Sequence, residues 1–195
     1  MTEIQNWAFA GCTTLKSVTI PASVRKIGLE AFYNCSALAG LTLPASVREI
    51  GPRAFKGCTA LADENGLVIV KDVLYNYCGP GGEVVIPAGV KRIENNVFNH
   101  CDALIGVTIP PSVRDIGNRA FYACHGLKSV TIPEGVREIG IEAFDWCFSL
   151  KDVWLPQSVK TIKKDALPHT AIHAPAGSYA EQYAKANKCR FVAEG

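Results

Sequence analysis

The chain has 195 residues and a mass of 21.0 kDa, enough for one domain, or two small ones, with a sizeable core. A composition of 48% hydrophobic and 19% charged residues excludes disorder, and no apolar run approaches the roughly 20 residues of a membrane-crossing helix, so no membrane insertion is expected. The net charge of +2 and the pI near 8.1 are too mild to imply a nucleic-acid partner, which demands a concentrated basic face.

From the first residues onward the sequence repeats itself with a period of 23. Phenylalanine recurs at Phe9, Phe32 and Phe55, then at Phe98, Phe121 and Phe144, and a cysteine follows each after three places, from Cys12 to Cys147. Proline keeps the same step at Pro21 and Pro44, and again from Pro87 to Pro156. Leu38, Leu41 and Leu43 give the L-x-x-L-x-L spacing of leucine-rich repeats, whose alternation predicts a short strand with one face inward. Pro44 ends that ladder for want of an amide donor. Val47 and Ile50 predict a second short extended segment on the opposite wall, Gly51 a turn, and Ala54-Phe55 a single helical or 3₁₀ turn that drops a ring into the core. Such a unit cannot bury its apolar side alone and must stack on its neighbours as one coil of a solenoid.

The pattern I-G-x-x-A-F-x-x-C-x-x-L-x-x-V-x-I-P-x-S-V, present from Ile116 to Val136 with Gly135 in the serine slot, resembles the BspA-like leucine-rich repeats of bacterial surface proteins. The resemblance covers almost the whole chain. It implies a leucine-rich-repeat solenoid of short parallel strands and short helical or 3₁₀ turns. It also implies an extracellular or cell-surface recognition protein, adhesin-like, whose partner is a protein on a host or neighbouring cell.

Met1-Thr2-Glu3-Ile4 aligns with Val24-Arg25-Lys26-Ile27, so the chain starts in mid-coil, and end-to-end self-association through this uncapped coil is expected. The same residues hold no export signal, which leaves a cytoplasmic location and a removed leader both open. Between Phe55 and Phe98 the step grows to 43, an insertion of 20 residues near 62–83. Leu67–Val70 and Val73–Tyr77 are β-rich runs around Lys71-Asp72, followed by the turn formers Gly79 to Gly82, so a hairpin is expected, either laid onto the solenoid or projecting from it as a contact element. Ser178 and Glu181 form a capping box that predicts a helix from about Tyr179 to Asn187, with Tyr183 and Ala184 facing inward and Phe191 closing beyond it. The expected organisation is a solenoid of about seven coils over 1–174 and a C-terminal cap over 175–195.

Six of the eight cysteines occupy one column behind the core phenylalanine and read as small buried hydrophobes, with Cys78 and Cys189 outside it. His100-Cys101 and Cys124-His125 contain zinc-binding residue types, but each histidine adjoins an inward cysteine and points away from it, and no C-x-x-C pair supports a site. His169 and His173 read as surface residues of a degenerate last coil. No nucleophile elbow or phosphate loop is present, so neither an enzyme nor a cofactor is expected.

Two outward columns remain. One runs along the strands through Thr19, Thr42, Val85, Thr108, Thr131 and Trp154; threonine suits an exposed strand by propensity, while Trp154 is either an interface anchor or a ring stacked under the C-terminal lid. The other is basic: Arg25, Arg48, Lys91, Arg114, Arg137 and Lys160, beside a mixed-charge column that predicts a salt-bridged wall. The leading expectation is a protein-binding scaffold using the face around Thr108, Thr131 and Trp154. The alternative is a carbohydrate-binding module for acidic glycans that combines Trp154 with Arg114, Arg137 and Lys160.

Overall fold

Each repeat closes into one coil, and neighbouring coils are joined wherever a main-chain amide points along the stack. The computed structural model describes residues 1–194. Contacts divide the chain into two compact units, Met1–Gly79 and Pro80 onward.

In the first unit, β1 (Glu3–Ile4), β3 (Lys26–Ile27) and β5 (Glu49–Ile50) form one parallel wall, with Ile4, Ile27 and Ile50 in register. The other wall pairs β2 (Ser17–Thr19) with β4 (Gly40–Thr42), Val18 opposite Leu41. Phe9, Phe32 and Phe55 stack face to face, with centroids 5.0 and 5.3 Å apart. A 3₁₀ turn at Thr59–Leu61 leads into the insertion.

That insertion is an antiparallel hairpin of β6 (Leu67–Val70) and β7 (Val73–Tyr77). Leu67, Val68, Leu74 and Tyr75 are fully buried, and the Tyr75 ring meets Phe55 edge-on at 5.6 Å. The hairpin is therefore laid into the core, and the reading of a projecting contact element is corrected: four apolar side chains gain more by burial than a free hairpin could offer.

In the second unit, β8 (Gly82–Val85) pairs in parallel with β10 (Leu104–Thr108). A second wall stacks β9 (Arg92–Ile93), β11 (Asp115–Ile116), β13 (Glu138–Ile139) and β15 (Thr161–Ile162), with one isoleucine from each in register. A third set joins β12 (Ser129–Thr131), β14 (Asp152–Trp154), β16 (Ala171–Pro175) and β17 (Arg190–Glu194). Phe98, Phe121 and Phe144 stack at 4.8 Å.

The expected cap is helix α1 (Tyr179–Ala186). The Glu181 amide donates to Ser178 Oγ at 3.3 Å, while the Glu181 carboxylate accepts from the Gly177 amide at 2.7 Å. Tyr183 and Ala184 are buried as expected. Beyond the helix, β17 continues the sheet, with Phe191 opposite Ile172. Among the described residues no helix is long and apolar enough to cross a membrane.

The turns around the phenylalanine column hold residues at positive φ two places before and two places after the ring, for example Arg119 (54°) and Ala123 (55°) around Phe121. A non-glycine residue adopts this region only when something holds it there. The reason is where the amides then point: Arg119 N donates to Ile141 O at 2.8 Å, Phe121 N to Ala143 O at 2.8 Å and Ala123 N to Asp145 O at 2.9 Å, all in the following coil. The I-G glycine serves the same stacking, since a Cβ at Gly140 would lie 2.6 Å from the amide nitrogen of Asn118 one coil back.

Candidate functional site

Along the second unit the outward strand residues are Val85, Thr108, Thr131 and Trp154. Register sets Val85 beside Thr108 and Thr131 beside Trp154, and the first three are exposed. β10 departs from a regular ladder: pairing jumps from Leu104 with Gly82 to Gly106 with Glu83, so Ile105 is left without a partner residue and stands out, 47% exposed. In the two following coils that column holds Lys128 and Lys151. At Gly106 a Cβ would lie 2.1 Å from a Glu83 carboxylate oxygen, so the absence of a side chain lets Glu83 lie across the strand. Glu83, Ile105, Gly106, Thr108, Lys128 and Thr131 line a groove of about 560 Å³. With Ser129 also in its lining, it offers an apolar floor, three hydroxyls and one charge of each sign.

Trp154 is half-buried, and the structure decides its setting. Its ring stacks on His173 in the next strand, with centroids 4.6 Å apart and planes 21° from parallel. His173 was expected at the surface, yet its side chain is only 15% exposed and bridges two carboxylates: Nε2 lies 2.8 Å from Asp152 Oδ1 and Nδ1 2.9 Å from Glu194 Oε1. The Asp152 hydrogen bond, aided by Glu194, raises the His173 pKa above its ordinary value despite some burial.

Arg114, Arg137 and Lys160 are exposed and stack coil on coil, Arg137 N donating to Arg114 O at 2.7 Å and Lys160 N to Arg137 O at 2.9 Å. They flank β11, β13 and β15, a different sheet from the one that holds Trp154. The glycan surface that was to combine them with Trp154 is thus divided between two sheets. Salt bridges on this wall are made by the neighbouring column, with Lys26 3.1 Å from Glu3 and Glu138 2.6 Å from Lys163, while Arg114 donates to Pro111 O at 2.7 Å and Lys160 to Gln157 O at 3.0 Å. Short local carbonyl contacts are available within each turn without ordering two long side chains against each other.

Cys35, Cys58, Cys124 and Cys147 are buried, and each thiol lies 3.0 Å from the carbonyl of the phenylalanine one coil back. Burial and the neighbouring thiol push Cys58 up to about 12. These thiols act as hydrogen-bond donors within the core. Beside Cys101 and Cys124, His125 Nδ1 sits 2.7 Å from Asp102 Oδ1, and His100 meets the Tyr122 ring edge-on.

The repeat matches the BspA type leucine rich repeat region in six copies, over residues 1–65 and 68–175. The chain belongs to the BspA-type leucine-rich-repeat family. Among solved structures it is similar to a leucine rich cell surface protein of Faecalibacterium prausnitzii, 28% identical with a TM-score of 0.53, over 94% of this chain and 60% of that one. It is also similar in fold to a leucine-rich repeat protein of Bacteroides ovatus, 20% identical with a TM-score of 0.53, over 100% of this chain and 58% of that one. The chain therefore spans less than two thirds of either protein. No curated protein sequence matches it.

Against the BspA-type repeat, one group of residues went unread in the sequence. The slots on either side of the column cysteine hold Gly11 and Thr13, Asn34 and Ser36, or Gly57 and Thr59 in the first unit, but Trp146 and Phe148 around Cys147. These rings are 53% and 75% exposed. Trp146 lies 5.6 Å from Phe148 and 6.4 Å from Tyr122, and Phe148 stacks flat on His125 at 5.2 Å. The signal was available as two aromatic residues in slots where small or polar ones suffice.

Proposed function

We propose that this BspA-type chain is a non-enzymatic protein-binding scaffold, presented outside the cell, that engages its partner on the strand face of the second unit. The observation that carries this reading is the groove around Ile105, where a bulge turns an isoleucine outward in a slot that the two following coils fill with lysine. Exposed apolar side chains rimmed by polar ones mark contact surfaces. Thr108 and Thr131 supply hydroxyls beside it, and Glu83 and Lys128 supply opposite charges that set register on a complementary partner. Trp154 supports the far end of the face from its stack on His173. The surface location rests on the similarity to a solved cell surface protein at 28% identity. The adhesin-like role is what the resemblance to BspA-like surface proteins implies.

The test compares wild type with Ile105→Lys/Thr131→Lys, and with Arg48→Glu as a control in the first unit, in cross-linked capture from host matrix and bacterial envelope proteins. A protein captured by wild type and by the control, and lost from the groove variant, supports the reading. Identical capture by all three places the contact elsewhere.

A further inference from the structure

Trp146 has a backbone φ of 60° and an exposed ring. The same slot holds glycine, asparagine, histidine or alanine in the other coils, so an exposed indole departs from the column. At Ala123 the amide of this slot donates to the following coil, whereas the Trp146 amide donates to its neighbour Asp145, so coil stacking does not explain the indole.

The surroundings define what the ring can receive. Asp145 Oδ1 accepts from the Trp146 amide at 2.9 Å. Glu142 and Asp165 lie close enough to Asp145 to raise its pKa after burial has done so, with Arg119 opposing them. Arg119 is the prototype of a bound cation here. Its Nε donates to Glu142 Oε2 at 2.7 Å while its guanidinium carbon lies 5.4 Å from the Tyr122 ring centre. Lys164 answers Asp165 only at 3.8 Å, with 84% of its side chain exposed. Carboxylates therefore outnumber firmly held cations beside a ledge of aromatic faces. Such a field favours a cation over a neutral ligand, because indole faces and carboxylates both attract positive charge.

We propose that the Trp146–Phe148 ledge, with Glu142, Asp145 and Asp165 beside it, is a second docking site, which takes an arginine or lysine side chain from a basic segment of another protein. The incoming cation covers the Trp146 face as Arg119 covers Tyr122, and the carboxylates hold its N–H groups. This site is separate from the groove around Ile105 and is tested separately.

The experiment follows the three tryptophan indole resonances of the full chain by nuclear magnetic resonance during titration with a hexa-arginine peptide, and in parallel with chitohexaose. The Trp146 signal shifts with hexa-arginine while those of Trp7 and Trp154 stay in place. Affinity falls about tenfold or more on going from low salt to about 1 M, where the Debye length is only about 3 Å. Glu142→Gln/Asp145→Asn weakens binding about tenfold while keeping an oxygen to cap the Trp146 amide, and Trp146→Ala abolishes it with an unchanged melting temperature. The proposal is overturned if hexa-arginine leaves Trp146 unmoved at millimolar concentration, if binding is insensitive to salt and to the carboxamide variant, or if chitohexaose shifts Trp146 and the peptide does not.

Discussion

The thiol of Cys124 donates to the main-chain carbonyl of Phe98, 3.0 Å away and one coil back. The same 26-residue reach recurs from Cys147 to Phe121, from Cys58 to Phe32 and from Cys35 to Phe9. The column cysteine is thus a small apolar filler that also tethers each coil to the one before it. Cys124→Ala withdraws the donor and opens a small cavity, with an expected loss of about 1–2 kcal/mol in urea unfolding. A loss indistinguishable from zero would make the thiol a filler only.

Burial and its neighbouring thiol raise Cys58 from 9.0 to about 12, so the fold holds it neutral. A group raised in this way contributes stability that is complete below its unfolded value near 9 and is lost as pH climbs toward about 12. Denaturation between these limits is expected to show wild type losing stability faster than Cys58→Ala. In native protein a thiol reagent reacts first with Cys78, the exposed cysteine.

The bridge from Asp152 through His173 to Glu194 ties β14 and β17 through a protonated imidazole. Its folded pKa is raised above 6.5, so its contribution is fully present below 6.5 and disappears as pH rises through the folded value. Amide exchange at β17, corrected for intrinsic rate, is expected to show weaker protection on the alkaline side, and His173→Asn is expected to flatten that dependence. Equal protection across the range would mean that the Trp154 stack alone holds the strand.

Gly140→Ala and Gly106→Ala separate two uses of glycine. At Gly140 the added methyl meets main chain at 2.6 Å and cannot be accommodated without moving a coil, so a loss of about 2 kcal/mol or more is expected. At Gly106 it meets the end of the Glu83 side chain, which can swing away. Stability should change by less than about 1 kcal/mol, while partner capture through the groove falls. Thermal melting and capture by the same two variants check both statements.

Tyr75→Ala removes the ring that meets Phe55 under the hairpin, and about 3–5 kcal/mol should be lost on denaturation. A loss below about 1 kcal/mol would return the hairpin to the solenoid surface.

Much of the fold could be read from residue spacing because a repeat states its own geometry many times. Phe9 to Phe144, the cysteines three places behind them and the prolines after the strands fix the coil and its inward face, since only inward positions demand one residue type in every copy. Ser178 and Glu181 likewise announce α1, because a capping box is satisfied within one turn. The two hydroxyls at Thr108 and Thr131 were legible as an outward column for the same reason. What interrupts the pattern was not legible: the bulge at Ile105 depends on how many residues β8 supplies, and the burial of Tyr75 depends on which ring lies beneath it. The setting of Trp154 turned on His173 and Glu194, which reach it through pairing of β14, β16 and β17.

The sequence by itself determined a BspA-type leucine-rich-repeat coil, its core columns and its capping helix, because periodic burial and local capping are both written in residue spacing. Only the tertiary structure decided which outward residues share a surface. Thr108 and Thr131 meet on one groove, Arg114, Arg137 and Lys160 belong to another sheet, and Trp146 and Phe148 form a ledge beside carboxylates from different coils. Those groupings depend on register between coils and on the direction each turn gives its side chains, and neither is stated by any single repeat.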